Sequence, residues 1–88
     1  MKEINEKLTN IREKFKNEFS RKRNRDNNLV SKQSNILLHS DLLDKLNGEL
    51  VESANEYFKE NNIDDTKPIK KIITEQVLSY LEFVKPLL

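Results

Sequence analysis

The chain has no cysteine, no tryptophan, a single glycine, a single histidine and two prolines in 88 residues. Without cysteine there is neither a disulfide framework nor a thiolate metal site to brace a small core, a composition that points to a cytoplasmic home. One glycine cannot build a glycine-rich phosphate loop. One histidine with no cysteine offers neither metal-ligand spacing nor a nucleophile with a nearby base. Enzyme activity, a metal and a cofactor are therefore not expected. Long apolar runs are missing too: nothing approaches the roughly 20 residues that span a bilayer, and the opening MKEINEKL lacks the apolar stretch of a secretory signal. Secretion and membrane insertion are disfavoured. A chain this short buries only about 60% of the surface that its unfolded form exposes, so self-association into a homodimer is expected.

What is there is charge, unevenly spread. The formal net charge is +1, yet residues 12–32 hold eight basic side chains against three acidic, and residues 39–66 hold two basic against eight acidic. The first stretch attracts polyanions or acidic partners. Apolar content divides the chain near the same place: Ile, Leu, Val and Phe make up 5 of the first 28 residues and 22 of the other 60. The first share lies below the roughly one in five that marks disorder-prone composition. The sequence reads as a basic N-terminal arm, residues 1–28, followed by a body, residues 29–88.

Two helices are legible in the body. Leu42, Leu43, Leu46, Leu50, Val51, Ala54, Tyr57 and Phe58 fall on one side of a 3.6-residue helix, with Ser40 placed to cap it and Asp41 and Asp44 in its first turn. The spacing predicts a helix over 41–61 with Gly48 on its polar side. A second helix is predicted from Pro68, suited to a first helical position, to residue 85, with Pro86 ending it. Its apolar face carries Ile69, Ile72, Ile73, Val77, Tyr80, Leu81 and Val84. Gln76 interrupts that face and is expected to hydrogen-bond across a packed interface, because a buried amide without a partner costs on the order of 1–3 kcal/mol.

The stretch SKQSNILLHSDLL, residues 31–43, admits two readings. A helix running through it would have to absorb Ser31, Ser34, Asn35 and Ser40, which compete with the helical backbone for hydrogen bonds. Its apolar residues Ile36, Leu37 and Leu38 would spread over roughly 200° of arc. Alternation instead sets Gln33, Asn35, Leu37 and His39 on one face and Ile36, Leu38 and Ser40 on the other, as in a strand. The strand is the better match. A lone strand is not stable without a partner, and the same strand of a second chain is the simplest one.

A strand paired across a dimer, a capped amphipathic helix, a short polar loop and a second amphipathic helix together resemble the ribbon-helix-helix DNA-binding regulators over residues 33–85. NILLHSDLLDKL is similar to that family's strand running into its first helix, and TKPIKKII to its second-helix opening. The resemblance implies a mainly α fold with one short β-strand and a dimer core formed by Ile36, Leu38, Leu46, Leu50, Ile69, Ile73, Val77 and Leu81. It also implies an antiparallel two-stranded ribbon lying in the DNA major groove. Gln33, Asn35 and Leu37 would then contact bases, the amides through adenine N6 and N7 and the leucine through a thymine methyl. Lys32 would add a phosphate or guanine contact. The implied function is sequence-specific binding of double-stranded DNA by a transcriptional repressor or a plasmid partition or accessory factor.

Other features bear on partners independently. Lys67, Lys70 and Lys71 crowd the start of the second body helix, where the macrodipole is positive and acidic residues are favoured. A DNA phosphate docked there would resolve the conflict, with Thr66 and Lys67 supplying backbone contacts, unless Asp64 and Asp65 already satisfy the lysines. In RKRNR, the residues Arg21, Lys22, Arg23 and Arg25 could follow a DNA backbone or form a solvated linker. Ile4, Leu8, Ile11, Phe15 and Phe19 lie within about 60–80° of one another on a helix, a narrow seam. That seam could pair with its twin, pack on the body or bind a partner protein; the resemblance to plasmid-type members implies the last. Glu49, Glu52, Glu56 and Glu60 share the polar face of the first body helix and could receive the basic arm of a neighbouring chain. The alternative to the DNA reader is a small helical bundle of residues 2–20, 41–61 and 68–85. It would act as a protein-interaction module, an adaptor or inhibitor without specific DNA binding, its basic arm meeting an acidic partner.

Overall fold

The computed structural model describes residues 2–25 and 32–88, leaving aside the side chains of residues 24, 25 and 32–34. Three helices, α1 (Lys2–Arg25), α2 (Lys32–Asn61) and α3 (Lys67–Val84), are followed by a short 3-10 turn, Lys85–Leu87. They form a slender bundle of 48 × 18 × 17 Å. At 1.5 Å per residue a helix of 30 residues is about 45 Å long, so α2 runs the length of the molecule. Ion pairs set the register of α1 on α2: Lys14 Nζ lies 2.7 Å from Glu49 Oε1, and Lys7 Nζ lies 3.8 Å from Glu56 Oε2. Seven residues forward on one helix match seven back on the other, so the two are antiparallel. α3 returns beside α1, joined to it where Arg12 Nη1 donates to Gln76 Oε1 at 2.7 Å and Lys16 sits over the Phe83 ring, 5.4 Å from its centroid.

Among the described residues there is no strand, and the expected ribbon-helix-helix architecture is corrected to an all-helical bundle. Residues 33–40, read as a strand leading to a cap at Ser40, are the first turns of α2, and Ser40 is an exposed mid-helix residue. Two terms decide this. Serine and asparagine inside a helix cost only about 0.5 kcal/mol each, whereas a strand with no neighbour leaves its whole ladder unmade. The helix also sets Asn35 in line with the buried Leu42, Leu46 and Leu50 and turns Leu38 against the core.

The arm is likewise part of the bundle. Ile4, Leu8, Phe15 and Phe19 are buried between α2 and α3, and Ile11 packs against them. Each such burial contributes about 1.5–3 kcal/mol, so α1 is a full third of the core. The boundary drawn after residue 28 falls between described segments, but the helix before it is no appendage.

The far ends follow local chemistry. α2 stops where Asn62 takes a positive φ of 50° and the Ile63 N–H donates to the Phe58 carbonyl at 3.1 Å, a left-handed cap that satisfies an orphan carbonyl. α3 begins at Lys67 with Pro68 in its first turn, and it ends at Val84, before Pro86. No helix among the described residues is long and apolar enough to cross a membrane.

Candidate interaction surfaces

Two of the residues expected to read DNA bases, Asn35 and Leu37, do not share a surface. Asn35 is 5% exposed, its side chain turned into the bundle, and its Oδ1 finds no hydrogen-bond partner among the described residues. Leu37, two residues on, is 67% exposed on the outer side of α2. Lys32 and Gln33 lie in the first turn of α2, and their side chains are outside the described residues. A helix separates successive side chains by 100° instead of alternating them, so Asn35 and Leu37, which alternation put on one face, point to opposite sides of α2.

The expected dimer core is divided in the same way. Leu46, Leu50 and Ile69 are buried within one chain, and Leu38, Ile73 and Val77 pack partly buried against them. Leu81 is half-buried. Ile36 is 45% exposed. A core that a dimer was expected to complete is completed by α1.

At the start of α3 one of the backbone N–H groups expected to meet a phosphate is bonded within the chain. The Lys67 backbone N–H donates to Asp65 Oδ1 at 3.1 Å, and the Thr66 carbonyl accepts from the Lys70 N–H at 3.0 Å. The Thr66 side chain makes no capping bond. Lys67, Lys70 and Lys71 point to solvent around this carboxylate-capped turn.

The basic residues that close α1 keep a surplus of charge. Arg21 and Lys22 share one carboxylate, Glu18, at 3.2 and 3.4 Å, and Arg23 is half-buried with its Nε unpartnered. Arg25 is the last residue of α1, its side chain outside the described residues. Continued along the helices, the register of the Lys7–Glu56 and Lys14–Glu49 pairs brings this end of α1 level with residues 38–42 of α2, about His39. The same pairs show where the acidic face of α2 goes: Glu49 and Glu56 meet α1 of their own chain.

Several side-chain contacts of the bundle were not read from the sequence. His39, half-buried, stacks on the Tyr80 ring with centroids 5.9 Å apart and planes inclined by 18°. Tyr80 is buried, its hydroxyl has no partner, and burial pushes its pKa up to about 12. Arg12 was not singled out, although the expected buried partner for Gln76 exists and Arg12 is it. The signal was present in retrospect, since Arg12 follows Ile11 and Leu8 on the edge of the α1 seam. Among the described residues no cluster of three or more His, Cys, Asp or Glu could hold a metal ion.

No known protein family, curated protein or solved structure matches this chain. The likeness to ribbon-helix-helix regulators rests on the short motifs alone, and the strand within them is a helix.

Proposed function

We propose that the protein is a small helical interaction module, an adaptor or inhibitor, that binds an acidic amphipathic segment of another protein at the end where α1 finishes and α2 begins. The observation that carries this reading is the reversed pattern of the first turns of α2: Asn35 is buried with an unpaired carbonyl, while Ile36 is 45% exposed beside it. An unpaired buried amide costs on the order of 1–3 kcal/mol. A segment that turns its polar side in and its apolar side out is arranged for a surface that the described residues do not provide. Ile36 lies one turn before His39, which stacks on Tyr80 of α3, and the cationic surplus of Arg21, Lys22 and Arg23 lies at the same end of the bundle. Apolar anchor and positive rim together fit an acidic helix laid across the end of the bundle.

The test is titration of the labelled protein with a synthetic acidic amphipathic helix, following backbone amide resonances. Shifts should concentrate at residues 21–23 and 36–39, and Ile36→Asp should weaken binding about tenfold or more. A second reading, binding of double-stranded DNA, is favoured only by the cationic end, without the base-reading ribbon. It would appear as association with duplex DNA that falls steeply with salt and ignores Ile36→Asp. That result, with no response to the peptide, would overturn the protein-partner reading.

A further inference from the structure

One face of α2 is turned away from both α1 and α3. Leu37, Asp44, Gly48, Val51 and Asn55 run along it, flanked by Asp41, Lys45, Glu52 and Lys59. Leu37 and Val51 are 67% and 47% exposed. Around Gly48 the face dips into a shallow depression lined by Asn47, Val51, Glu52 and Asn55, and nothing lies within 4 Å of the place a Cβ would occupy.

We propose that a second copy of this chain covers this face, α2 against α2 and antiparallel, about a two-fold axis near Leu50. The argument is the order of charges along the helix: negative at Asp41, positive at Lys45, negative at Glu52 and Glu56, positive at Lys59. A parallel pairing sets each charge beside its own copy, which is repulsive. The antiparallel pairing that places Asp41 opposite Lys59 of the second chain also sets Lys45 between that chain's Glu52 and Glu56. By the two-fold symmetry of an isologous interface each of these meetings occurs twice.

The same register orders the uncharged positions. Asp44 comes level with Asn55, whose amide can donate to it. Val51 enters the notch left by Gly48, where the absent side chain lets two helices approach. Leu37 reaches the half-buried Ile63 just beyond the other helix's end, so the most exposed leucine of α2 is covered without any change in the bundle. The present partners of these charges are weak competitors. Lys45 pairs with Asp41 of its own helix at 3.2 Å and Glu56 with Lys7 at 3.8 Å, all of them more than half exposed, and such pairs contribute little in water.

The experiment is sedimentation equilibrium of the full chain at near-physiological salt, with two sets of variants checked for unchanged helix content. The native protein is expected to approach twice its 10.4 kDa mass as its concentration rises toward about 0.1 mM. Lys59→Glu, which opposes Asp41 twice, should weaken the dimer about tenfold, and Asp41→Lys with Lys59→Glu should restore it to within about threefold. Because the chain has no cysteine of its own, Val51→Cys near the axis should form a disulfide-linked dimer under mild oxidation, and Leu78→Cys, on α3, should not. A monomer throughout overturns the proposal. So does a dimer that is indifferent to Lys59→Glu, or one that the double substitution fails to restore. Ile36→Asp should leave the dimer intact, so failure of the acidic-partner reading and failure of this one are separate results.

Discussion

Tyr80 carries a hydroxyl into the bundle without a partner, and its consequence for stability depends on pH in a defined direction. Burial raises its pKa from 10.0 to about 12, so between those values the unfolded chain loses a proton that the folded chain keeps. The stability it supports is complete below pH 10 and is lost as pH rises toward about 12. Tyr80→Phe should flatten that part of a stability–pH profile. At neutral pH, removing the orphan hydroxyl should hold or raise the melting temperature. A substitution that lowers it by several degrees at neutral pH would show that the hydroxyl has a partner after all. Arg12 and Gln76 form the opposite case, a buried polar contact that is made. Arg12→Ala should cost about 1–3 kcal/mol by stranding the Gln76 carbonyl. Converting both to leucine should recover most of that loss, a coupling that a double-substitution cycle in urea would measure.

At the scale of the element, α2 distinguishes the two readings of residues 31–43 by one atom. If Ser40 capped a helix after a strand, Ser40→Ala would cost about 1 kcal/mol. In a continuous α2 it is an exposed interior residue, so the same change should stabilise by up to about 0.5 kcal/mol, alanine being the better helix former. Gly48→Ala should add about 1 kcal/mol of stability to the single chain, because its new methyl meets nothing within 4 Å. Chemical denaturation checks both. The end of α2 and all of α3 were legible in the sequence because one apolar stripe held its phase over four or more turns there, and because Pro68 marks a start that the backbone respects. The opening of α2 was not. Between Ser31 and Ser40 the helical stripe includes Asn35 while Ile36 and Leu37 leave it, so a reading by apolar period sees the pattern a strand would show. What overrides the pattern is tertiary: Leu38 and His39 reach the core from a helix, and no strand partner exists among the described residues.

At the scale of the molecule, the low apolar content of the first 28 residues misleads because composition averages over every face of a helix, whereas packing needs only one. A seam of Ile4, Leu8, Phe15 and Phe19 suffices when two other helices stand ready to enclose it, and all four side chains are at most 5% exposed. The partner expected for that seam is thus the chain's own α2 and α3, and the lysines between its apolar residues are held by Glu49 and Glu56 of α2. With one core shared by all three helices, they are expected to unfold as a single cooperative unit. Residues 29–88 alone, the body of the sequence reading, would expose the faces of Leu42, Leu46, Leu50 and Ile69 that α1 helps to bury. Losing four fully buried apolar side chains forfeits about 1.5–3 kcal/mol apiece. Small domains have about 5–15 kcal/mol in total. The fragment is therefore expected to be unfolded or molten, with little dispersion in its amide spectrum and no cooperative melt. Adding a peptide of residues 1–25 should restore a melt, by the contacts that bury Phe15 and Phe19. A fragment 29–88 that melts cooperatively on its own would mean that α2 and α3 find another cover, and the second copy would be the first place to look.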